Sequence, residues 1–347
     1  PDIRVADCEY NRAEITALID KAYATGVRIL ALPELCITGY TCQDLFFQQA
    51  LLDGALNSLR EITEHTAGSD MLISVGCPLR FRGELYNCAV VLKDGKILGV
   101  VSKKFLPNYN EFYEKRHFTA APEGQFDIEL FGESVPFGLG LLFECRAMPE
   151  LVFAAELCED LWAAEPPSIS LALGGATIIA NLSASNETIG KDMYRRELVN
   201  SQSARLLCGY VYASAGSGES TQDLVFGGHD IIAENGIILA ESKLYSTGLT
   251  VTEIDVQKLA SERRRNTSFT GGIRPGMRRI PFDMEVMPTE LTRIVRRTPF
   301  VPNTAAETDK RCEDILTMQR LSPYLLGFER YMVKPGDTYH RLARTFG

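Results

Sequence analysis

No uninterrupted apolar run reaches the roughly eighteen residues that a membrane-spanning helix needs, so the 347-residue chain is not expected to cross a bilayer. The opening Pro1-Asp2-Ile3 lacks the basic and apolar regions of a secretory leader. It also lacks a methionine, so the expectation is a natural start further upstream. Positive charge is short too: 36 Lys and Arg face 45 Asp and Glu, a net charge of −9. Nucleic acid backbones demand a basic surface, so nucleic acid is excluded as a main partner. None of the nine cysteines sits in a CxxC pair or at zinc-ligand spacing. An odd number of scattered thiols fits a reducing cytoplasm better than a disulfide framework. Internal repeats and low-complexity tracts are missing as well.

What remains is ordinary globular material. Hydrophobic residues make up 45% and charged residues 23%, enough for a folded core and too apolar for disorder. The length exceeds one average domain, which predicts one large domain plus extra material. Apolar spacing predicts a helix over residues 11–25, with Ile15, Ile19 and Tyr23 four apart and Gly26 as its stop. A short buried strand follows at 27–32, a helix at 44–66 and a strand at 71–77. Runs at 87–92 and 97–101 flank Asp94-Gly95, a hairpin signal. Further strands are expected at 151–157, 176–180, 209–213 and 229–233, and an amphipathic helix at 192–207. Strands and helices alternating in this way predict an α/β fold with sheets covered by helices. Residues 271–302 are rich in Gly, Pro and Arg and read as a linker, with a short helix at 305–319 beyond it. The late basic residues Arg263, Arg264, Arg265, Arg274, Arg278 and Arg279 read as solvated.

Three residues stand at the exits of expected buried strands. Glu34 lies in ALPELCITGY, set by Pro33 at a strand end, a position suited to acid–base work. Lys103 ends the strand at 97–101, where an ammonium can hold an oxyanion. Cys158 follows the apolar run LVFAAEL and precedes EDLW, a tight exit where nearby N–H groups and a lysine would lower its pKa toward thiolate. Taken singly each has a bland alternative: a capping glutamate, an exposed lysine, one more core cysteine. Together they supply the nucleophile, proton carrier and positive charge that amide cleavage requires.

The strings PELCITGYTCQDLF, VVSKKFLPNYNEFYEKRHF, ELCEDLW and ANLSASNETIGKDMYRR with SQSAR resemble the nitrilase, or carbon–nitrogen hydrolase, superfamily. Within it, the likeness is to the glutaminase domains of glutamine-dependent NAD synthetases, over about residues 1–270. The resemblance implies a four-layer αββα sandwich with Glu34, Lys103 and Cys158 as catalytic triad. It carries glutamine-binding positions onto Tyr109, Ser185 and Lys191, with Tyr40, Phe112 and Glu159 as further pocket walls. It implies L-glutamine as substrate, with ammonia passing through a tunnel to a synthetase half that aminates deamido-NAD using ATP and magnesium. No cofactor or metal is expected in the glutaminase domain itself, and a homo-oligomer is implied.

The SGGxDS pyrophosphate loop of that second half is absent from these residues. Likeness to the family's linker runs through FVPNTAAETDKRCEDILTMQ; residues 320–347 then read as a partial segment of the synthetase half. The expected organisation is therefore 1–270 glutaminase, 271–319 linker and helix, and 320–347 remnant. By the same resemblance, the family's first strand is expected to lie ahead of Pro1, with the chain beginning near that strand's end. YMVKPGDTYHRLARTFG bears a faint likeness to a glycan-binding LysM motif but is far too short for that module. Two other readings stay open: a free-standing amidase or carbamoylase of the same superfamily, and a catalytically silent scaffold.

Overall fold

The computed structural model describes residues 1–293 apart from 222 and 273, together with 295, 301, 302 and 304–321. Two compact units divide the chain, Pro1–Arg293 and Ile294–Gly347. In the second, the helix α7 spans Ala305–Leu321 and buries no residue. Both the tail expected as a synthetase remnant, from 322 onward, and the LysM-like string lie outside the described residues.

The first unit holds two sheets. One is ordered β1-β2-β3-β4-β6-β5. Its strands are β1 (Ile29–Ala31), β2 (Leu72–Phe81), β3 (Glu84–Lys93), β4 (Lys96–Ser102), β5 (Gln125–Leu130) and β6 (Glu133–Gly138). The other is ordered β12-β11-β10-β9-β8-β7-β13. It contains β7 (Leu141–Cys145), β8 (Val152–Leu157), β9 (Ile178–Ser183), β10 (Gly209–Ser214), β11 (Ile231–Glu234), β12 (Ile237–Glu241) and β13 (Arg278–Phe282). The helices are α1 (Cys8–Ala24), α2 (Gln49–His65), α3 (Glu159–Trp162), α4 (Pro167–Leu173), α5 (Lys191–Leu206) and α6 (Val256–Arg265).

Strand alternation builds the layers, because successive side chains leave opposite faces. In β3, Ala89 and Val91 pack with Phe143, Phe153 and Ile178 of the other sheet. Their neighbours Val90 and Leu92 pack instead with Ile15, Ile19, Leu59 and Ile62 of α1 and α2. In β8, Phe153 and Ala155 face between the sheets. Val152 and Ala154 face Leu171 of α4 and Val199 of α5. The result is helix, sheet, sheet, helix: four layers, as the resemblance implied.

Local chemistry accounts for the departures. Asp94 and Gly95 both adopt positive φ, 49° and 73°, which the tight hairpin between β3 and β4 requires. The helix expected at 44–66 is broken: a 3-10 segment Tyr40–Phe47 precedes α2, with Gln43 at φ 50° and Gln48 extended between them. The stretch read as a linker enters the sheet instead. β13 pairs in parallel with β7, from Arg278↔Leu141 to Phe282↔Cys145, and the compact unit runs to Arg293 rather than 270. Arg263 is not solvated either; all five of its N–H groups meet backbone carbonyls. At the edge of the first sheet, β1 pairs only with β2. Beside it lies a cavity of about 1010 Å³, lined by Ile29, Ala31, Val211, Leu249, Ile254 and Val286 among others. Among the described residues no helix is long and apolar enough to cross a membrane.

Candidate active site

Three strand exits converge. Glu34 lies three residues past β1, Lys103 directly follows β4, and Cys158 directly follows β8. The end of β9 joins them: the Glu34 N–H donates to the Ser183 carbonyl at 3.4 Å, and the Ala184 N–H donates to Glu34 Oε2 at 2.9 Å. Gly76 on β2 explains how the Glu34 backbone gets so deep. A Cβ at that position would stand 2.2 Å from the Leu35 nitrogen and 2.5 Å from the Pro33 oxygen, which no side chain tolerates.

At the centre is Lys103, 0% exposed. Its Nζ donates to Glu34 Oε1 at 2.6 Å and to Glu114 Oε2 at 2.7 Å. Tyr40 Oη donates to the same Glu114 oxygen at 3.1 Å, and the Asn87 amide nitrogen donates to Oε1 of both Glu34 and Glu114, 2.7 Å each. Two carboxylates thus face one ammonium out of water. Burial works against the Lys103 charge, yet Glu114 and Glu34 outweigh it and hold the ammonium well above its ordinary range. Burial raises the Glu114 carboxyl despite the pull of Lys103. An ammonium has three N–H bonds; two of Lys103's go to these carboxylates, and no partner for the third is found among the described residues.

Cys158 sits at φ 36°, ψ −97°, a strained conformation for a residue with a Cβ, at the start of α3. Leu35, next to Glu34, also has a positive φ of 48°. Asp160 fixes the elbow. Its carboxylate accepts from the Leu157 N–H at 3.1 Å and from the Lys104 and Phe105 N–H groups at 3.2 and 2.8 Å, so one side chain ties the Cys158 turn to the chain just past Lys103. Burial, with Glu156 nearby, lifts the Asp160 carboxyl to about 8. The expectation of a depressed thiol pKa is overturned. Burial first, and the Glu34 charge second, push the Cys158 thiol up to about 12 against the help of Lys103 and the N–H of Ala184.

The other expected residues ring this cluster. Tyr40 is more than a wall, since its hydroxyl belongs to the Glu114–Lys103 network. Phe112 stands edge-on to Tyr40 and Tyr109, with centroids 6.4 and 6.2 Å apart. The exposed Tyr109 donates to Glu159 at 2.9 Å, and burial raises the Glu159 carboxyl in spite of that bond. Lys191 bonds Asn186 and lies 5.1 Å from the centroid of the Trp162 ring; burial lowers its ammonium. Ser185 is buried one residue past the N–H that serves Glu34. Glu114, Asn87 and Asp160 escaped the sequence reading. Glu114 carried no strand-exit signal, and Asn87 sits inside the apolar strand β3. Asp160 had one available signal, an acid two residues past a nucleophile candidate. Among the described residues no group of His, Cys, Asp and Glu is placed to hold a metal.

Known proteins share both sequence and fold. The glutamine-dependent NAD(+) synthetase of Mycobacterium bovis is 38% identical over 336 residues, 91% of this chain and 50% of that protein. The chain thus spans about half the length of this relative. The crystal structure of a glutamine-dependent NAD(+) synthetase from Cytophaga hutchinsonii superposes with a TM-score of 0.65 and 31% identity, covering 72% of this chain and 41% of that one. An amidase from Nesterenkonia sp. AN1 shares the fold at a TM-score of 0.58 and 18% identity, covering 76% of this chain and 95% of its own. Residues 1–264 match the carbon–nitrogen hydrolase family along their whole length, and with the four layers and the buried Glu–Lys–Cys cluster this places the chain in that family.

Proposed function

We propose that this chain is the glutaminase part of a glutamine-dependent NAD synthetase. The observation that carries the reading is the single buried cluster in which Lys103 bridges Glu34 and Glu114 beside the Cys158 thiol. A thiol held near 12 needs a base, and Glu34 is the carboxylate whose charge it feels most. Cys158 Sγ attacks the side-chain amide carbon of L-glutamine while its proton passes to Glu34. The oxyanion takes the third N–H of Lys103 and backbone N–H groups. Glu34 then protonates the departing nitrogen, and ammonia leaves behind a thioester. Next Glu34 draws a proton from water, which attacks the thioester carbon and releases glutamate and the thiol. Tyr109, Ser185, Lys191, Tyr40, Phe112 and Glu159 form the glutamine pocket.

Half the length of relatives bearing the synthetase name lies beyond this chain. In that half the ammonia aminates deamido-NAD, which ATP activates with magnesium. The reading also carries a cytoplasmic, homo-oligomeric enzyme.

Cys158→Ala in the full-length protein tests the reading. Glutamine-driven NAD formation should fall to background, since no other side chain can form the thioester, while added ammonium still supports NAD formation. Loss of both activities would count against two separate sites. Faster hydrolysis of simple amides than of glutamine by the parent protein, without ATP dependence, would favour a free-standing amidase.

A further inference from the structure

Asn87 has no part in that scheme, yet it touches more of the cluster than any other neutral side chain. It is wholly buried in β3. Its amide nitrogen donates to Glu34 Oε1 and Glu114 Oε1, 2.7 Å each, and its backbone carbonyl accepts from the Lys103 N–H at 2.9 Å. The amide orientation is fixed by its neighbours: turned over, its oxygen would face two carboxylates, which offer no proton. Its own Oδ1 has no hydrogen-bond partner among the described residues. An orphaned, buried acceptor is costly, and a strand interior favours apolar or β-branched residues. Bulk alone does not account for an asparagine here.

The count of lone pairs gives the reason. A carboxylate oxygen accepts about two hydrogen bonds in plane. Glu34 Oε1 receives Lys103 at 2.6 Å and Asn87 at 2.7 Å, so it is full. Among the described residues Glu34 Oε2 receives only the Ala184 N–H at 2.9 Å, and that same N–H works against burial to lower the Cys158 thiol. One oxygen is saturated and the other has capacity to spare on the side of the thiol. We propose that Asn87 is a positioning residue for amide hydrolysis: its amide separates Glu34 from Glu114 around Lys103 and blocks Glu34 Oε1, so that the proton travels on Oε2. This rests on the glutaminase reading and refines it. Without Asn87 the Glu34 carboxylate can rotate, present either oxygen, and share the ammonium unevenly with Glu114.

The experiment uses the full-length protein with Asn87→Ala, Asn87→Ser and Asn87→Asp, alongside the parent and Cys158→Ala. Glutamine hydrolysis is measured across pH, and folding by circular dichroism and melting. For Asn87→Ala, kcat should fall about 100-fold with KM changed less than about threefold, the loss typical of one misplaced proton carrier. The acidic limb of its pH profile should move to higher pH, because the ionised carboxylate has lost a donor. Asn87→Ser, able to reach one carboxylate at most, should recover part of the rate, and Asn87→Asp should move the limb furthest. The rate of iodoacetamide alkylation at Cys158 against pH reads the same proton without substrate and should shift in the same sense. A folded Asn87→Ala with parental kcat and an unmoved limb overturns the proposal; if that variant does not fold, a folded Asn87→Ser with parental kcat and limb does so equally. Should the parent ignore glutamine, or Cys158→Ala keep hydrolysing it, the glutaminase reading fails instead, and the alkylation profile still decides the role of Asn87.

Discussion

Two cations shielded from water, the buried Lys103 and the half-buried Arg263, are satisfied in opposite ways. Arg263 on α6 meets no acid among the described residues. Its five N–H groups point at five backbone carbonyls: Leu206 and Leu207 at the end of α5, and Ala172, Gly175 and Ala176 around the end of α4, at 2.6 to 3.5 Å. Helix C-termini leave carbonyls unpaired and carry partial negative charge, so one guanidinium closes two ends at once. Donors and acceptors balance and nothing is left over. Burial lowers the Arg263 guanidinium to about 10, opposed by Cys208. Around Lys103 the count does not close: two carboxylates serve one ammonium, and one of its N–H groups, Asn87 Oδ1 and Ser102 Oγ have no partners among the described residues. A polar cluster built only to hold a fold is finished by its own atoms. One built to act on something else is left incomplete and charged.

The sharpest break of that contrast is Glu34→Gln. The amide keeps the shape and can still accept from Lys103, but it carries no proton for the leaving nitrogen. Glutamine hydrolysis should drop at least about 1,000-fold in a variant that still folds; near-normal turnover would mean that another carboxylate does this work. Arg263→Ala should do the reverse. Five carbonyls lose their donor, with an expected loss of about 3 kcal/mol in stability, read by chemical denaturation, while kcat per folded molecule stays parental. A matching fall in kcat would show that the two clusters are coupled. Arg264, the exposed neighbour, serves as control, and its alanine variant should stay within about 0.5 kcal/mol of the parent.

Glu219 gives a milder test through pH. Burial raises its carboxyl to about 8, although it accepts the Tyr40 N–H at 2.9 Å. A folded carboxyl that titrates above its unfolded counterpart binds more protons in the native state, so it lowers stability as pH rises from about 4 through 8. The slope is at most about 1.4 kcal/mol per pH unit for one group. Glu219→Gln should flatten the decline between pH 5 and 8 in melting experiments, and an unchanged slope would assign the decline elsewhere. The smallest effect is a ranking of thiols. All nine cysteines are free and only Cys312 is exposed, so peptide mapping after brief iodoacetamide treatment should find Cys312 modified first. Cys158 should follow at least about tenfold later at neutral pH, given its small thiolate fraction, with glutamine slowing it further.

The sequence was most legible where chain-local chemistry repeats. Alternating apolar runs located most strands of both sheets, and the acid, ammonium and thiol singled out in the sequence do stand just past β1, β4 and β8. Long-range partnership was the blind spot. Arg263 looked solvated because charge runs usually are, and the carbonyls that bind it lie 56 to 91 residues away. β13 hid among Gly, Pro and Arg, since a parallel partner such as β7 leaves no local trace. The Cys158 pKa was misjudged in sign for the same reason: nearby lysine and N–H groups can be inferred from a motif, but the depth of burial that overrides them is a property of all four layers. Asn87 and Glu114 are polar residues whose purpose exists only once each has met the other.

The buried sulfur at position 158 has a bearing on survival as well as on turnover. Peroxide and similar oxidants attack thiolate, and the sulfinic and sulfonic acids that follow are not generally repaired. A cysteine only 6% exposed, with its thiol pushed up to about 12 by burial, offers them little to react with. On the glutaminase reading proposed above, the surroundings that leave Cys158 waiting for a base therefore also shelter it from oxidative damage between turnovers.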